Sequence, residues 1–206
     1  MTEKERMLSG KLYTALDAEL RSDMRECKAK LFKFNSMLMD KNKERVELLR
    51  AILGNSGEFL YIEPPFYCDY GKNISVGDGF YANYNLHIID CAKVTIGDNV
   101  FIGPMCGIYT AGHPIDFEVR NTGLEYADEI KIGDNVWIGG SVTINPGVTI
   151  GSNVVIGSGS VVTKDIPDNC VAFGNPCKVH RAITDEDKSC WESKRKLYNS
   201  EMGKDV

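Results

Sequence analysis

Three features that mark other classes of protein are missing from this sequence of 206 residues. It has no basic excess, since 24 Lys and Arg stand against 29 Asp and Glu for a formal net charge of −5, which argues against nucleic acid as a partner. It has no apolar run near the roughly 18 residues that a membrane span needs. It has 7 cysteines but no Cys-x-x-Cys pair, and the odd number argues against a disulfide framework. We therefore expect free thiols and no binding to nucleic acid or membrane.

The first residues also lack the apolar stretch of a secretory signal peptide, because Met-Thr-Glu-Lys-Glu-Arg carries charge there. We therefore expect a cytoplasmic protein. The length allows one domain of ordinary size with helical attachments, and 43% of hydrophobic residues suffices for a sizeable core.

Both ends of the chain carry helical patterns. Residues 1–56 are predicted to be helical because apolar residues recur at spacings of three and four. The two runs are Leu12, Leu16, Leu20, Met24, Cys27, Leu31 and Phe34, then Val46, Leu48, Leu49, Ile52 and Leu53. Residues 184–201 predict a shorter terminal helix with Thr184 as its N-cap and Asp187 three places on. We divide the chain into an amino-terminal helical segment (1–56), a central domain (57–183) and a carboxy-terminal helix and tail (184–206).

The central domain repeats with a period of six residues, and every sixth residue in two interleaved series is Ile or Val. The series are Ile130, Val136, Val142, Val148 and Val154, and Ile132, Ile138, Ile144, Ile150, Ile156 and Val162. An α-helix has an apolar period of 3.6 and does not fit. A parallel β-helix of triangular section fits, with three short strands per coil and coils stacked at about 4.8 Å. At roughly 18 residues per coil, residues 58–165, less one loop, predict a mainly β domain of about five coils.

One insertion interrupts the repeat, at residues 109–129. Such a long loop in a compact domain is usually functional. It carries His113, one of only 3 histidines in the chain. Neutral imidazole suits proton abstraction near pH 7, since its unperturbed pKa is about 6.5. His113 is therefore the first candidate catalytic residue.

Several motifs resemble those of the hexapeptide-repeat sugar O-acetyltransferases, the maltose and galactoside acetyltransferases. Ile-Gly-Asp-Asn-Val occurs at 96–100 and 132–136, and Thr-Ala-Gly-His-Pro at 110–114 resembles the catalytic loop of that family. Further matches are Ser-Gly-Lys-Leu-Tyr (9–13), Glu-Pro-Pro-Phe-Tyr-Cys-Asp-Tyr-Gly (63–71), Phe-Tyr-Ala-Asn-Tyr-Asn (80–85), Val-Trp-Ile-Gly-Gly (136–140), Val-Thr-Lys-Asp-Ile-Pro (162–167) and Gly-Asn-Pro-Cys-Lys-Val (174–179). The resemblance implies a left-handed parallel β-helix, a homotrimer with sites shared between subunits, and transfer of an acetyl group from acetyl-CoA to a sugar hydroxyl.

The catalytic groups follow from this chemistry and from the resemblance together. An alcohol must lose its proton as it attacks a thioester, and this makes His113 the general base. No Ser or Cys stands in a recognisable nucleophile setting, so we expect direct attack in a ternary complex rather than an acyl-enzyme. The anionic intermediate needs hydrogen-bond donors. The resemblance assigns that role to the backbone N–H of Gly140, and it places Asn83 near the acceptor hydroxyl.

Carboxylates are the expected partners of the sugar, because they accept hydrogen bonds from hydroxyl groups. The candidates are Asp17 and Asp69, with Tyr81 as a wall of the pocket. The galactoside branch has Ser at the place of Asp69, Asp at that of Cys91 and Met at that of Glu125. The differences at Asp69 and Cys91 favour the maltose-type branch, and they leave the acceptor open between a maltose- or glucose-like sugar and a galactoside. The difference at Glu125 weakens any role carried over to that position.

For acetyl-CoA, the resemblance implies a groove between coils of neighbouring subunits. The matching residues are Gly139, Gly140, Ser158, Thr163 and Lys164, and Lys178 and Arg181 after the last coil are candidates for the phosphates. Trp137 falls between two inward residues of the repeat, so we expect it to point outward at an interface or cleft. We expect no metal.

Three other functions remain open at this point. A zinc hydrolyase on the same scaffold, the gamma-type carbonic anhydrase, needs three converging histidines, whereas those here are separated by 26 and 67 residues. A non-catalytic β-helix scaffold explains the repeat but not the Thr-Ala-Gly-His-Pro loop. Transfer to an antibiotic or an amine is the strongest alternative, although such relatives usually lack the Leu-Tyr-x-x-x-Asp segment found at 12–17.

Overall fold

The computed structural model describes residues 1–38 and 40–204 of the chain. The helices are α1 (Glu3–Leu8), α2 (Ala18–Asn35), α3 (Asn42–Ile52), α4 (Phe117–Arg120) and α5 (Asp185–Glu201). The strands are β1 (Tyr13–Thr14), β2 (Asn55–Ser56), β3 (Leu60–Ile62), β4 (Phe66–Cys68), β5 (Ile74–Val76), β6 (Phe80–Ala82), β7 (Leu86–Ile89), β8 (Val94–Ile96), β9 (Phe101–Ile102), β10 (Gly107–Tyr109), β11 (Ala111–Gly112), β12 (Leu124–Ala127), β13 (Ile130–Ile132), β14 (Trp137–Ile138), β15 (Thr143–Ile144), β16 (Thr149–Ile150), β17 (Val154–Ile156), β18 (Val161–Val162), β19 (Cys170–Phe173) and β20 (Lys178–Ala182).

Most strands form three parallel sheets, which are the faces of a triangular solenoid. Face 1 consists of β2, β5, β8, β13 and β16, face 2 of β3, β6, β9, β14, β17 and β19, and face 3 of β4, β7, β10, β15 and β18. The chain runs from face 1 to face 2 to face 3 and back, through corners 1/2, 2/3 and 3/1. Face 2 has a sixth parallel strand because β19 lies beyond residue 165, where the predicted coils end. The prediction of about five coils is therefore slightly low.

The repeated Ile and Val residues of both series point into the solenoid, where each is at most 3% exposed. They stack in register from coil to coil. Ile132, for example, pairs with Ile96 on one side and with Ile150 on the other. β-branched side chains suit such columns because they pack closely on a pleated surface. The predicted parallel β-helix is confirmed.

The Ile-Gly-Asp-Asn-Val pattern forms corner 1/2. Asn99 and Asn135 take a left-handed backbone, with φ of 54° and 56°, which Asn tolerates better than most residues. Asp98 Oδ1 accepts the N–H of Asp78 at 2.7 Å, and Asp134 Oδ1 accepts the N–H of Asp98 at 2.8 Å. The motif therefore satisfies corner N–H groups that the strands do not pair.

The amino-terminal segment departs from the predicted helical run that starts at Leu12. α1 ends before Gly10, whose φ is 71°, and α2 begins only after its N-cap Asp17. Leu12 and Leu16 lie between the two helices and are 37% and 67% exposed, so this part of the prediction is wrong. The later part is confirmed, since α2 and α3 bury Leu20, Cys27, Leu31, Phe34, Leu49 and Ile52.

The insertion at 109–129 is an ordered hairpin on corner 3/1. β11 pairs antiparallel with β12, and β12 pairs on its other side with β1 from the amino-terminal segment. The N–H of Asp128 donates to Thr110 O at 2.9 Å and closes the root of the hairpin. The tip around α4 exposes Ile115 and Phe117, which are 96% and 59% accessible.

After the last coil, β20 pairs antiparallel with β19, and α5 follows. The predicted cap of α5 is confirmed, because the Thr184 side chain accepts the N–H of Asp187 and the Asp187 side chain accepts the N–H of Thr184. Within residues 1–38 and 40–204, no helix is long and apolar enough to cross a membrane.

Candidate active site

His113 follows β11 directly, on the hairpin of corner 3/1. Its Nδ1 lies 3.3 Å from the carbonyl oxygen of Leu124 at the start of β12. A carbonyl oxygen only accepts hydrogen bonds, so Nδ1 carries the proton and Nε2 keeps its lone pair. The ring is exposed. His113 is therefore held in the tautomer that a general base needs.

A groove of about 530 Å³ follows face 2 to corner 2/3. It is lined by the predicted residues Tyr81, Asn83, Trp137, Gly139, Gly140 and Ser158, and by Phe101, Ile102, Gly103 and Pro104, which the sequence reasoning missed. Trp137 is 58% exposed, which confirms its outward direction. The structure thus brings together six of the predicted site residues in one groove.

Outward aromatic side chains form a column on face 2, and three of its four members line this groove. Tyr61, Tyr81, Phe101 and Trp137 occupy the same register position in successive coils. The rings of Tyr61 and Tyr81 are stacked, with centroids 5.7 Å apart and planes at 3°. The first three members are 20 residues apart in sequence, and this spacing was the signal that could have revealed Tyr61 and Phe101.

The backbone N–H of Gly140 is a free donor in the groove. The N–H groups of Gly139 and Ser141 donate to backbone carbonyls of adjacent coils, each at 2.8 Å. That of Gly140 has no hydrogen-bond partner in the part of the chain that the structure describes. A Cβ on Gly103 would lie 2.6 Å from Gly140 N, so the glycine at 103 keeps this donor uncovered. A free N–H at such a place suits the binding of an oxyanion.

Asn83 lies in the same groove, at corner 2/3. Its Oδ1 accepts the N–H of Tyr84 at 2.8 Å, and its own N–H donates to Ile102 O at 2.9 Å. The side-chain oxygen is therefore occupied by the turn. The Nδ2 group has no partner among the described residues, and it remains available as a donor.

The positions at which this chain differs from the galactoside branch meet on corner 3/1, beside the hairpin. The pKa of Cys91 is raised to about 12, mainly by burial, and the charges of Asp69 and Glu125 contribute in the same direction. The Tyr13 hydroxyl donates to Glu125 Oε2 at 2.8 Å. Lys28 Nζ lies 3.4 Å from Asp69 Oδ1. The corner therefore offers carboxylate oxygens next to the hairpin that carries the catalytic candidate.

Asp17 is the N-cap of α2, three residues after β1. Its Oδ1 accepts the N–H groups of Glu19 and Leu20 at 2.9 and 3.2 Å, the usual work of a capping Asp. Its Oδ2 has no partner among residues 1–38 and 40–204. The cap explains this residue without a sugar, so its part in acceptor binding stays a prediction.

Four residues predicted to bind acetyl-CoA, two for its arm (Thr163 and Lys164) and two for its phosphates (Lys178 and Arg181), are not among the residues that line the groove. Thr163 and Lys164 are exposed at corner 3/1, and Lys178 is exposed on β20. Arg181, also on β20, donates two hydrogen bonds to the carboxylate of Asp187. Lys178 has no ion-pair partner among the described residues, so it is free to bind a phosphate, whereas Arg181 would have to leave Asp187 first.

The predicted catalytic groups lie at two different corners. Asn83 and Gly140 are at corner 2/3, and His113 is at corner 3/1. Face 3 separates them, and a strand rises about 3.3 Å per residue, so the seven steps from Asn83 to Asp90 span at most about 23 Å. Within one chain the base therefore does not meet the oxyanion donor.

The three histidines lie in separate places. His87 stacks on Tyr67 on face 3, with ring centroids 4.8 Å apart, and His180 contacts Phe173 after the last coil at 4.6 Å. His113 is on the hairpin. Among the described residues, no group of three or more His, Cys, Asp or Glu side chains is placed to hold a metal ion. These positions do not favour a zinc hydrolyase.

Family models match three parts of the chain. The maltose acetyltransferase hexapeptide capping motif matches residues 6–57, the bacterial transferase hexapeptide (six repeats) matches residues 129–164, and the hexapeptide repeat of succinyl-transferase matches residues 93–115. Galactoside O-acetyltransferase of Escherichia coli (strain K12) is 46% identical over 200 residues, which cover 97% of this chain and 98% of the relative.

Solved structures of similar proteins indicate the same family as the sequence matches. A maltose O-acetyltransferase from Clostridium difficile 630 superposes with a TM-score of 0.89 at 54% identity, over 89% of this chain and 98% of that chain. A galactoside acetyltransferase in complex with coenzyme A has a TM-score of 0.89 at 47% identity, over 91% of this chain and 94% of that chain. The chain therefore belongs to the family of hexapeptide-repeat sugar O-acetyltransferases.

Proposed function

We propose that the protein transfers the acetyl group of acetyl-CoA to a hydroxyl of a sugar, by direct attack within a ternary complex. Similar proteins are a galactoside and a maltose O-acetyltransferase, and one structure contains coenzyme A. The observation that carries the proposal is the bond from His113 Nδ1 to Leu124 O, at 3.3 Å. It leaves Nε2 free as a base, on a hairpin that adjoins the carboxylates of corner 3/1.

In the first step, the sugar oxygen attacks the carbonyl carbon of the thioester while its proton passes to His113 Nε2. A neutral imidazole is suited to this transfer because it accepts and returns a proton near neutral pH. As the tetrahedral intermediate collapses, its C–S bond breaks and the sulfur of coenzyme A leaves with the electron pair. The proton on Nε2 then passes to that thiolate, so His113 ends as it began.

Cysteine does not carry the acetyl group in this mechanism. Six cysteines are buried, and only Cys190 is exposed, on α5. Burial raises the pKa of Cys106, the cysteine nearest to the groove residues in sequence. A thiol of raised pKa is a poor nucleophile, which supports direct attack over an acyl-enzyme.

The free N–H of Gly140 stabilises the oxyanion of the tetrahedral intermediate, and Asn83 Nδ2 acts beside it on the reacting oxygen atoms. Both donors are unpaired in the described chain and line one groove. Removing one such donor typically costs about 10²- to 10³-fold in kcat.

A complete site needs a second copy of the chain, because His113 and Gly140 lie at different corners. In a homotrimer with face 3 toward the axis, corner 3/1 of one copy meets corner 2/3 of the next. The surfaces to be covered are apolar, since Ile115 on the hairpin tip is 96% exposed and Met105 at corner 2/3 is 62% exposed. Exposed apolar side chains at the two corners support this arrangement.

Acetyl-CoA lies along the groove of face 2 in this proposal, with its thioester at Gly140. Trp137 and Phe101 offer flat apolar surface to the flexible arm. The cations Lys164 and Lys178 are available for the phosphates. Lys164 lies at corner 3/1, as the hairpin does. Because that corner meets corner 2/3 of the next copy, Lys164 reaches the groove of the neighbouring copy.

The acceptor binds on corner 3/1, where Asp69 accepts hydrogen bonds from its hydroxyl groups, and Asp17 at the start of α2 accepts others. Asp69 is 16% exposed at its side chain, so it presents a small part of its carboxylate to solvent. We propose a maltose- or glucose-like sugar as acceptor.

Replacement of the base tests the proposal. His113→Ala should lower kcat at least about a hundredfold, as loss of a general base does, and should leave the affinity for acetyl-CoA unchanged. His180→Ala is the matched control, because it removes an exposed histidine outside the site and should leave kcat unchanged. An unchanged kcat for His113→Ala would refute the mechanism.

A further inference from the structure

A buried carboxyl supports the turn that presents Asp69. Asp90 is 0% exposed at corner 3/1, one coil after Asp69. Its Oδ1 accepts the N–H groups of Asp69 and Tyr70, both at 2.9 Å. A single oxygen atom therefore holds the backbone of the turn on which the proposed acceptor ligand stands.

The same carboxyl is costly for the fold. Its second oxygen, Oδ2, is buried and has no hydrogen-bond partner in the described chain. Burial is the main reason that the pKa of Asp90 is raised to about 7, and the nearby charge of Asp69 raises it too. Buried polar atoms without partners are rare, and a carboxyl kept under these conditions calls for an explanation beyond packing.

A second buried side chain, Thr110, connects the turn that carries Asp90 to the hairpin that carries His113. Thr110 is 0% exposed. Its hydroxyl donates to Ile89 O at 2.7 Å and accepts the N–H of Ala92 at 3.0 Å, while its carbonyl accepts the N–H of Asp128 at the root of the hairpin. Thr110 thus holds the turn that carries Asp90, and Asp90 holds the turn that carries Asp69.

We infer that Asp90 is a positioning residue for acceptor recognition, which fixes the backbone of the Asp69–Tyr70 turn and, through Thr110, sets that turn relative to the hairpin of His113. The inference rests on the proposed function, in which Asp69 binds the sugar. Asp90 itself does not touch the sugar, because it is fully buried. Its effect reaches the acceptor only through the direction of the Asp69 side chain.

Steady-state kinetics with both substrates test this role. Asp90→Ala removes the shared acceptor and should raise KM for the sugar about tenfold or more, with KM for acetyl-CoA unchanged within about twofold. Asp90→Asn keeps an oxygen for both N–H groups and should restore KM for the sugar to within about threefold of the wild type. In an Asp69→Ala background, Asp90→Ala should raise KM for the sugar no further.

Asp98→Ala is the matched control, since Asp98 makes the same kind of bond to the preceding coil but at corner 1/2. It should change neither KM. Equal effects of Asp90→Ala and Asp98→Ala, or a parallel rise in both KM values, would overturn the positioning role. If Asp90→Ala does not fold, Thr110→Val tests the positioning role instead, because it removes the hydrogen bond from the N–H of Ala92 with little change in side-chain shape. It should raise KM for the sugar several-fold, and an unchanged value would overturn the inference. A wild-type protein without sugar turnover would instead refute the proposed function itself.

Discussion

Asp90 makes the stability of the protein depend on pH in a direction opposite to that of an ordinary surface carboxyl. Its pKa is raised from 3.8 to about 7, mainly because burial disfavours the charged form. A raised carboxyl pKa means that the folded chain binds the proton more tightly than the unfolded chain does. Asp90 therefore stabilises the fold at low pH, and this contribution is lost as the pH rises through the range from about 4 to 7.

The shift sets the size of the effect. A difference of about three pKa units corresponds to about 4 kcal/mol between the acidic and the neutral limits. Between pH 5 and pH 8 the expected loss is about 2–3 kcal/mol. Asp90→Asn keeps the oxygen that accepts the two N–H groups, and it removes the ionisation. The substitution should therefore stabilise the protein relative to the wild type increasingly as the pH rises.

Denaturant unfolding of both proteins at several pH values measures the difference. The free energy of unfolding of Asp90→Asn minus that of the wild type should grow by about 2–3 kcal/mol from pH 5 to pH 8. Other titrating groups are common to both proteins and cancel in the difference. A difference that stays constant over this range would refute the assignment of a buried, raised pKa to Asp90.

Two further predictions concern the groove and the assembly. Gly103→Ala places a Cβ 2.6 Å from Gly140 N and should lower kcat about a hundredfold in a protein whose thermal unfolding shows it to be folded, whereas a kcat within twofold of the wild type would contradict the role of that donor. Ile115 at the hairpin tip is 96% exposed in the single chain. Ile115→Glu puts a charge there, so it should turn the proposed trimer into monomers in sedimentation experiments and abolish turnover although His113 is intact. Full turnover by a monomeric Ile115→Glu would contradict a site shared between copies.

The β-helix itself could be predicted from the sequence because its core is built by local geometry. Each strand directs alternate residues inward, and each corner returns the chain to the same phase, so Ile132 and Ile138 repeat the same environment six residues apart. The same alternation placed Trp137 outside. The ends of the solenoid were harder, because β19 turns Cys170 and Ala172 inward instead of Ile or Val.

The amino-terminal helices show how a spacing rule fails. Leu12 and Leu16 continue the spacing of four, but Gly10 ends one helix and Asp17 caps the next. Both residues act through backbone conformation and capping, and the spacing of apolar residues carries no information about either. The exposed Leu12 and Leu16 are the result.

The candidate site was predictable in its members but not in its arrangement. The motifs identified His113 and Gly140, whereas their separation by face 3 follows only once the strands are assigned to faces. The bonds of Asp90 to residues about twenty positions earlier, and the pairing of Arg181 with Asp187, depend on folded geometry. No local spacing marks them.

The most direct test of the central claim is an acceptor panel that includes maltose, glucose, a β-galactoside, chloramphenicol and serine, each with acetyl-CoA. Consumption of acetyl-CoA and release of free thiol are measured together. We expect turnover with a hexose or disaccharide and none above background with chloramphenicol or serine. Preference for the antibiotic or for serine would contradict a sugar acceptor and the roles given to Asp17 and Asp69.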